Sequence, residues 1–171
     1  QKRRITQIFL EGEPGDKASQ IVTTKLKCPQ YRKKMVKRAV LTEHLMKPSW
    51  RVLLLLAPAG YGKPVFLSKL ADIFPGDVAW YNLDPHDNKP HTFVKHLTYA
   101  LNQFSSSNEM DLRRLLTQPI ISEQSRTTAV LLSNILESFP NGAPIILDNF
   151  QTITDPVIYQ IITNLIPLLP A

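Results

Sequence analysis

At 171 residues the chain has room for one domain with its own core, and its 43% hydrophobic and 20% charged content is ordinary for a globular protein. Its single cysteine, Cys28, excludes an internal disulfide framework and a multi-cysteine metal site, and the longest apolar run, residues 52–58, is too short to cross a bilayer. Charge is uneven: residues 1–51 hold 13 of the 20 Lys and Arg but 4 of the 14 Asp and Glu.

That basic excess peaks at Arg32, Lys33, Lys34, Lys37 and Arg38. Such a run suits nucleic acid or an acidic partner, and equally a solvated face near an anionic ligand. Aromatic residues do not alternate with these charges as a single-strand-binding surface requires. The N-terminus carries basic residues without the apolar stretch of a leader, so a cytoplasmic location with no membrane partner is expected.

In chain order, residues 1–20 carry Gly, Pro and charge without periodicity and read as a mobile arm, leaving 21–171 as the domain. Residues 37–45 suit a short helix. Residues 51–57 (RVLLLLA) form a continuous apolar run before a Pro/Gly cluster, the pattern of a strand covered on both faces. Helical spacing follows over 65–74, stopped by Pro75 and Gly76. A second strand is expected at 78–83 (VAWYNL), then a polar loop over 84–90 and a helix over 91–104. Residues 111–116 and 122–139 read as further helices, with Ser122 and Ser125 as caps. A third strand over 144–147 ends on Asp148, and an apolar helix over 155–169 is bent or ended by Pro167. Alternating strand and helix predict an α/β fold in three layers with a mainly parallel sheet.

The chemistry centres on the join between the first strand and its helix. Ala57, Pro58, Ala59, Gly60, Tyr61, Gly62, Lys63 and Pro64 have the spacing of a phosphate-binding loop, with Val65 continuing into the helix. Small residues let backbone N–H groups approach anionic oxygens, a helix start favours negative charge, and Lys63 reaches the outer phosphates. The strict pattern opens with Gly and closes with Ser or Thr after the Lys. Pro64 supplies neither a hydroxyl for Mg²⁺ nor a backbone N–H, although its ring suits a first helical turn. The strand 144–147 delivers Asp148 as a candidate carboxylate for Mg²⁺ through a water, 85 residues beyond Lys63. Asn149 follows, where an acid could polarise water; an amide orients water but is a poor base. ATP or ADP is the expected ligand, with Mg²⁺ bound weakly or not at all, and turnover is at most slow. Asp84, Asp87 and Asn88 read as loop caps rather than metal ligands. His86, His91 and His96 pair with no Cys, and His91 and His96 read as residues of a helix surface. Trp80 and Tyr81 read as core.

Thr24-Lys25-Leu26 with Pro29, Arg38 with Leu41, APAGYGK, VAWYNLD, Asp87-Asn88, Phe93 and LDNFQTITDPVI occur in an order that resembles the N-terminal ATPase domain of MalT-type regulators. These are LuxR-class transcription activators of the STAND group of signalling ATPases. The resemblance covers about Ile21 to Pro170 and implies a P-loop domain that binds ATP or ADP as a regulatory switch, with self-association when ATP and an inducer are bound. It implies that residues 57–63 cradle the phosphates, that Arg38 lies near the base or sugar, and that Asp148 is the Walker B acid. The family carries Thr where Pro64 stands and a second acid where Asn149 stands. Those departures favour an alternative, a pseudo-ATPase scaffold that works through protein partners. A core of this group continues beyond the helix over 155–169, so a C-terminally truncated piece of a longer regulator is expected. DNA binding would fall to a domain outside this chain.

Overall fold

The computed structural model describes residues 21–29, 61–72, 78–103, 109–137 and 144–169. The arm over 1–20, the helix over 37–45, the strand over 51–57, Arg38, and Ala57, Pro58, Ala59 and Gly60 lie outside them. The described elements are α1 (Lys63–Ala71), β1 (Ala79–Asn82), α2 (Pro90–Asn102), α3 (Glu109–Thr117), α4 (Ser125–Leu136), β2 (Ile145–Asp148) and α5 (Pro156–Leu165). Short 3-10 turns occupy Thr23–Leu26, Pro85–Asp87, Ser122–Gln124, Phe150–Thr152 and Ile166–Leu168. The described chain is therefore mixed but mostly helical, with a small parallel sheet of two strands. None of its helices is long and apolar enough to cross a membrane.

The strands pair in register, Ala79 with Ile145, Trp80 with Ile146, Tyr81 with Leu147 and Asn82 with Asp148. Side chains alternate across a strand, so the sheet has two dissimilar faces. Ala79 and Tyr81 join the main core, built with Phe93, Val94, Leu97 and Leu101 of α2, Leu112 of α3, Leu132 and Ile135 of α4, and Ile158 and Ile161 of α5. Trp80 and Ile146 face the other way and pack with Ala71 and Leu67 of α1. Helices thus cover both faces of the pair, and nearly continuous apolar strands are what such a position requires.

Helix starts follow local chemistry. Pro90 opens α2 and Pro156 opens α5, positions where a missing N–H costs nothing. Asp155 caps α5, its carboxylate accepting from the Val157 N–H at 2.8 Å. Pro167 lies in the 3-10 turn that ends this helix, as its sequence position anticipates.

Two expectations are corrected. Ser122 and Ser125 are not caps: Ile121 and Gln124 hold those positions without side-chain bonds, while Ser122 donates to Gln160 and Ser125 accepts from Asn164. A 3-10 turn before α4 absorbs the polar stretch and turns both hydroxyls toward α5 instead. His96 is not on a helix surface: it is 3% exposed and stacks on Tyr81 with ring centroids 5.5 Å apart.

A segment before the strands closes the structure. Around the turn Thr23–Leu26, Leu26 enters the main core, whereas Cys28 packs with the Trp80–Ile146 cluster. The segment therefore reaches both helical layers and lies along β1. Lys25 fixes it, its ammonium 2.7 Å from Asp84 Oδ2 and 2.8 Å from Asp87 Oδ2. At its far end the Ser68 hydroxyl of α1 donates to the Pro29 carbonyl at 2.7 Å.

Candidate functional site

In open α/β sheets, ligands bind beyond the carboxyl ends of parallel strands, because loops rather than packed helices cover that edge. Here the edge is formed by Asn82 and Asp148, adjacent in register. Asp148 is 6% exposed, and its Oδ1 accepts from the Asn149 backbone N–H at 2.9 Å. That bond belongs to a tight reversal: Asn149 has φ 60° and ψ 30°, the left-handed region. A short amide side chain tolerates this conformation better than other non-glycine residues.

Asn149 is held on several sides. Its Nδ2 donates to Asn82 Oδ1 at 2.9 Å, and its Oδ1 accepts from Gln151 Nε2 at 3.2 Å. Its carbonyl accepts from both the Thr152 N–H and the Thr152 hydroxyl. The amide therefore bridges the ends of the two strands. Asn82 was not singled out from sequence. The available signal was that the apolar runs VAWY and PIIL are each followed directly by a polar residue, Asn82 and Asp148.

The loop after β1 is built as a cap, as its sequence suggests. Asp84 accepts from the His86 N–H at 2.8 Å while Asp87 Oδ2 accepts from the Asp84 N–H at 2.8 Å, a reciprocal capping box. Burial alone would raise the Asp84 pKa; the bond from Lys25 and that from the His86 N–H outweigh it and hold the carboxyl below its ordinary value. Burial likewise opposes the Lys25 charge, yet bonds to Asp84 and Asp87 raise its pKa overall. Burial, then the nearby Asp87 charge, pushes the Tyr81 phenol far above the ordinary tyrosine range.

Asn88 ties this loop to the segment after β2. Its Oδ1 accepts from the Thr154 and Asp155 N–H groups at 2.7 and 2.8 Å, and its Nδ2 donates to the Thr154 hydroxyl at 2.8 Å. Asn88→Ala removes all three bonds and leaves two backbone donors without their acceptor. We expect a loss of about 2 kcal/mol in urea denaturation. A change within about 0.5 kcal/mol, the scale of an inert surface substitution, would show that the loops hold together without it.

Of the candidate loop residues, Tyr61, Gly62, Lys63, Pro64 and Val65 are described. Gly62 has φ 75°, and nothing lies within 4 Å of where a Cβ would sit. Glycine is required there for its backbone conformation, not for space. Its carbonyl accepts the Phe66 N–H at 3.0 Å, which starts α1, and Lys63 is the first helical residue. Pro64 occupies the first turn and removes one of the N–H groups a helix start otherwise offers. Tyr61 is 63% exposed. Asp148, Asn149 and Asn82 are thus brought together at the strand ends. Lys63 heads the helix whose Leu67 and Ala71 pack on the opposite sheet face from Tyr81. Among the described residues, no group of three or more His, Cys, Asp or Glu is arranged to hold a metal ion.

No protein-family model matches the chain. Over 141 residues it is 28% identical to the HTH-type transcriptional regulator MalT of Cronobacter sakazakii, covering 82% of this chain and 15% of that protein. Over 113 residues it is 26% identical to the HTH-type transcriptional regulator MalT of Vibrio campbellii, covering 66% of this chain and 12% of that protein. The chain thus spans a small part of the curated relatives it matches.

Proposed function

From the chain's distant kinship with the MalT regulators, we propose that it is the nucleotide-binding switch domain of a LuxR-family transcriptional regulator, with ATP or ADP as its ligand. The observation that carries the reading is Gly62: a left-handed glycine immediately before a helix headed by Lys63. That conformation turns the end of the APAGYGK run into a helix start, where backbone dipoles favour phosphate. Lys63 would contact the phosphates and Asp148 would hold Mg²⁺ through water. Self-association and DNA binding would belong to the longer regulator.

Pro64 and Asn149 point the chemistry away from turnover. Pro64 offers no hydroxyl to a metal. The Asn149 amide is committed to Asn82 and Gln151, and an amide is a poor base in any case. A switch that works by occupancy needs only a nucleotide that prefers one state. We expect nucleotide affinity to change little with Mg²⁺ and phosphate release to stay below about 1 s⁻¹. The paired substitution Pro64→Thr with Asn149→Asp should strengthen Mg²⁺-dependence. Asp tolerates the left-handed backbone, and Asn82 can turn its amide to donate to the new carboxylate. Side-by-side nucleotide affinities and phosphate release, with Mg²⁺ and with chelator, test this. Faster release by the natural chain would overturn the occupancy reading. Binding by the double variant alone would favour the pseudo-ATPase scaffold, for which Pro64 is the specific observation.

A further inference from the structure

His96 uses both ring nitrogens on backbone groups. Its Nδ1 lies 2.9 Å from the Thr92 carbonyl, an acceptor only, so Nδ1 carries the proton. Its Nε2 accepts the Val22 N–H at 3.1 Å, so Nε2 must be bare. These partners fix one neutral tautomer, and the second bond reaches residues 21–29 across 74 positions of sequence. We propose that His96 is an acid-operated latch that holds residues 21–29 on the domain when neutral and releases them when protonated.

The chemistry is a change of donor count. A protonated ring carries hydrogen on both nitrogens, which sets Nε2–H against Val22 N–H and removes the acceptor that holds the segment. The new proton sits on Nε2, but the ring's charge is also felt by Asp87, whose Oδ1 lies 3.7 Å from Nδ1. Asp87 is also the anion that binds Lys25, so a charged His96 competes for the second anchor of the same segment. The charged groups facing the ring are Asp87 in the loop after β1, Lys25 in the segment itself, with Asp84 beyond it, and Lys95 on α2. Tyr81 of β1 stacks on the ring and stays neutral.

Burial, opposed by the Thr92 bond and Asp87, holds the His96 pKa below the ordinary 6.5. The sign follows: below pH 6.5 the unfolded chain binds a proton that the folded chain refuses. The latch's contribution is therefore complete above 6.5 and is lost as pH falls toward the folded value. In sequence the released segment runs directly into residues 30–60, which include Arg38 and the start of the candidate phosphate loop.

Amide hydrogen exchange on the intact chain, corrected for intrinsic rates, between about pH 7.5 and about pH 5 tests the latch. Protection of the Val22 and Lys25 amides should fall by up to about tenfold per pH unit between 6.5 and the ring's lower value in the folded chain, read by NMR. The Ala79 and Leu83 amides, bonded to Pro144 and Asp148 carbonyls, should keep their protection. His96→Gln should abolish the pH response, and His86→Gln, at a residue whose side chain is 92% exposed, should retain it. Ring nitrogen shifts of the unsubstituted protein provide a check that needs no variant: the Nδ1–H tautomer is expected at neutral pH. An Nε2–H tautomer would overturn the proposal. So would segment protection that stays flat below 6.5, that falls together with Ala79 and Leu83, or that responds equally in His96→Gln.

Discussion

Lys25→Met should destabilise the domain by about 3 kcal/mol, the largest loss expected from any single charged side chain described here. Asp87 is fully buried, and Lys25 is the cation that balances it. Methionine keeps much of the stem's volume and removes the ammonium, so the cost is that of a buried carboxylate without its counter-charge. Breaking such pairs costs about 3–5 kcal/mol; the lower end applies because Lys25 keeps 15% side-chain exposure and Asp84 41%. Lys27→Met, at an exposed neighbour, should stay within about 0.5 kcal/mol. Adding Asp87→Asn to Lys25→Met should recover part of the loss, since an amide needs no counter-charge. The raised Lys25 pKa stabilises fully below 10.5, and the lowered Asp84 pKa stabilises fully above 3.8. Titration of Lys25 and Asp84 themselves therefore leaves the contribution flat between those values, so an acid response inside that window is expected to come through His96. Urea denaturation of the four proteins at neutral pH measures all of this. Equal stability of the Lys25 and Lys27 variants would show that the domain does not depend on the Lys25 ion pair.

Elements with a strong local pattern were legible in the sequence. The apolar run of β2 and its terminal Asp148 emerged where expected, as did α5 between Asp155 and Pro167. Composition could not show what covers an element from far away in sequence. In α2, His96 is buried beside Phe93, Val94 and Leu97 because residues 21–29 and the loop after β1 lie against it. A histidine three positions from Phe93 and four from Ala100 already lies on the apolar stripe, and that spacing was the signal available. The Asn149–Asn82 bridge spans 67 positions and depends on a left-handed residue that only the folded backbone reveals. At the candidate phosphate loop, the motif marked a helix after Pro64, over 65–74, but the helix begins at Lys63, and the left-handed backbone of Gly62 shows only in the fold. The small residues before them lie outside the described chain.

Lys63→Ala carries the largest effect expected on binding. A lysine on a phosphate makes charge-assisted bonds that no neutral group in the loop replaces, so its removal should cost about 1.5–3 kcal/mol. That corresponds to roughly a tenfold to hundredfold weaker affinity for ATP. The fold should survive, because Lys63 is half-buried at a helix start and contributes no side chain to either core cluster. Unchanged affinity with intact stability would move the nucleotide away from this helix.

Calorimetric titration of ATP and of ADP into the unsubstituted chain, once with Mg²⁺ and once with chelator, addresses nucleotide binding most directly. Saturable one-site binding in both conditions, with similar affinity and lost or weakened in Lys63→Ala, is the predicted result. No saturable binding of either nucleotide in either condition would contradict it.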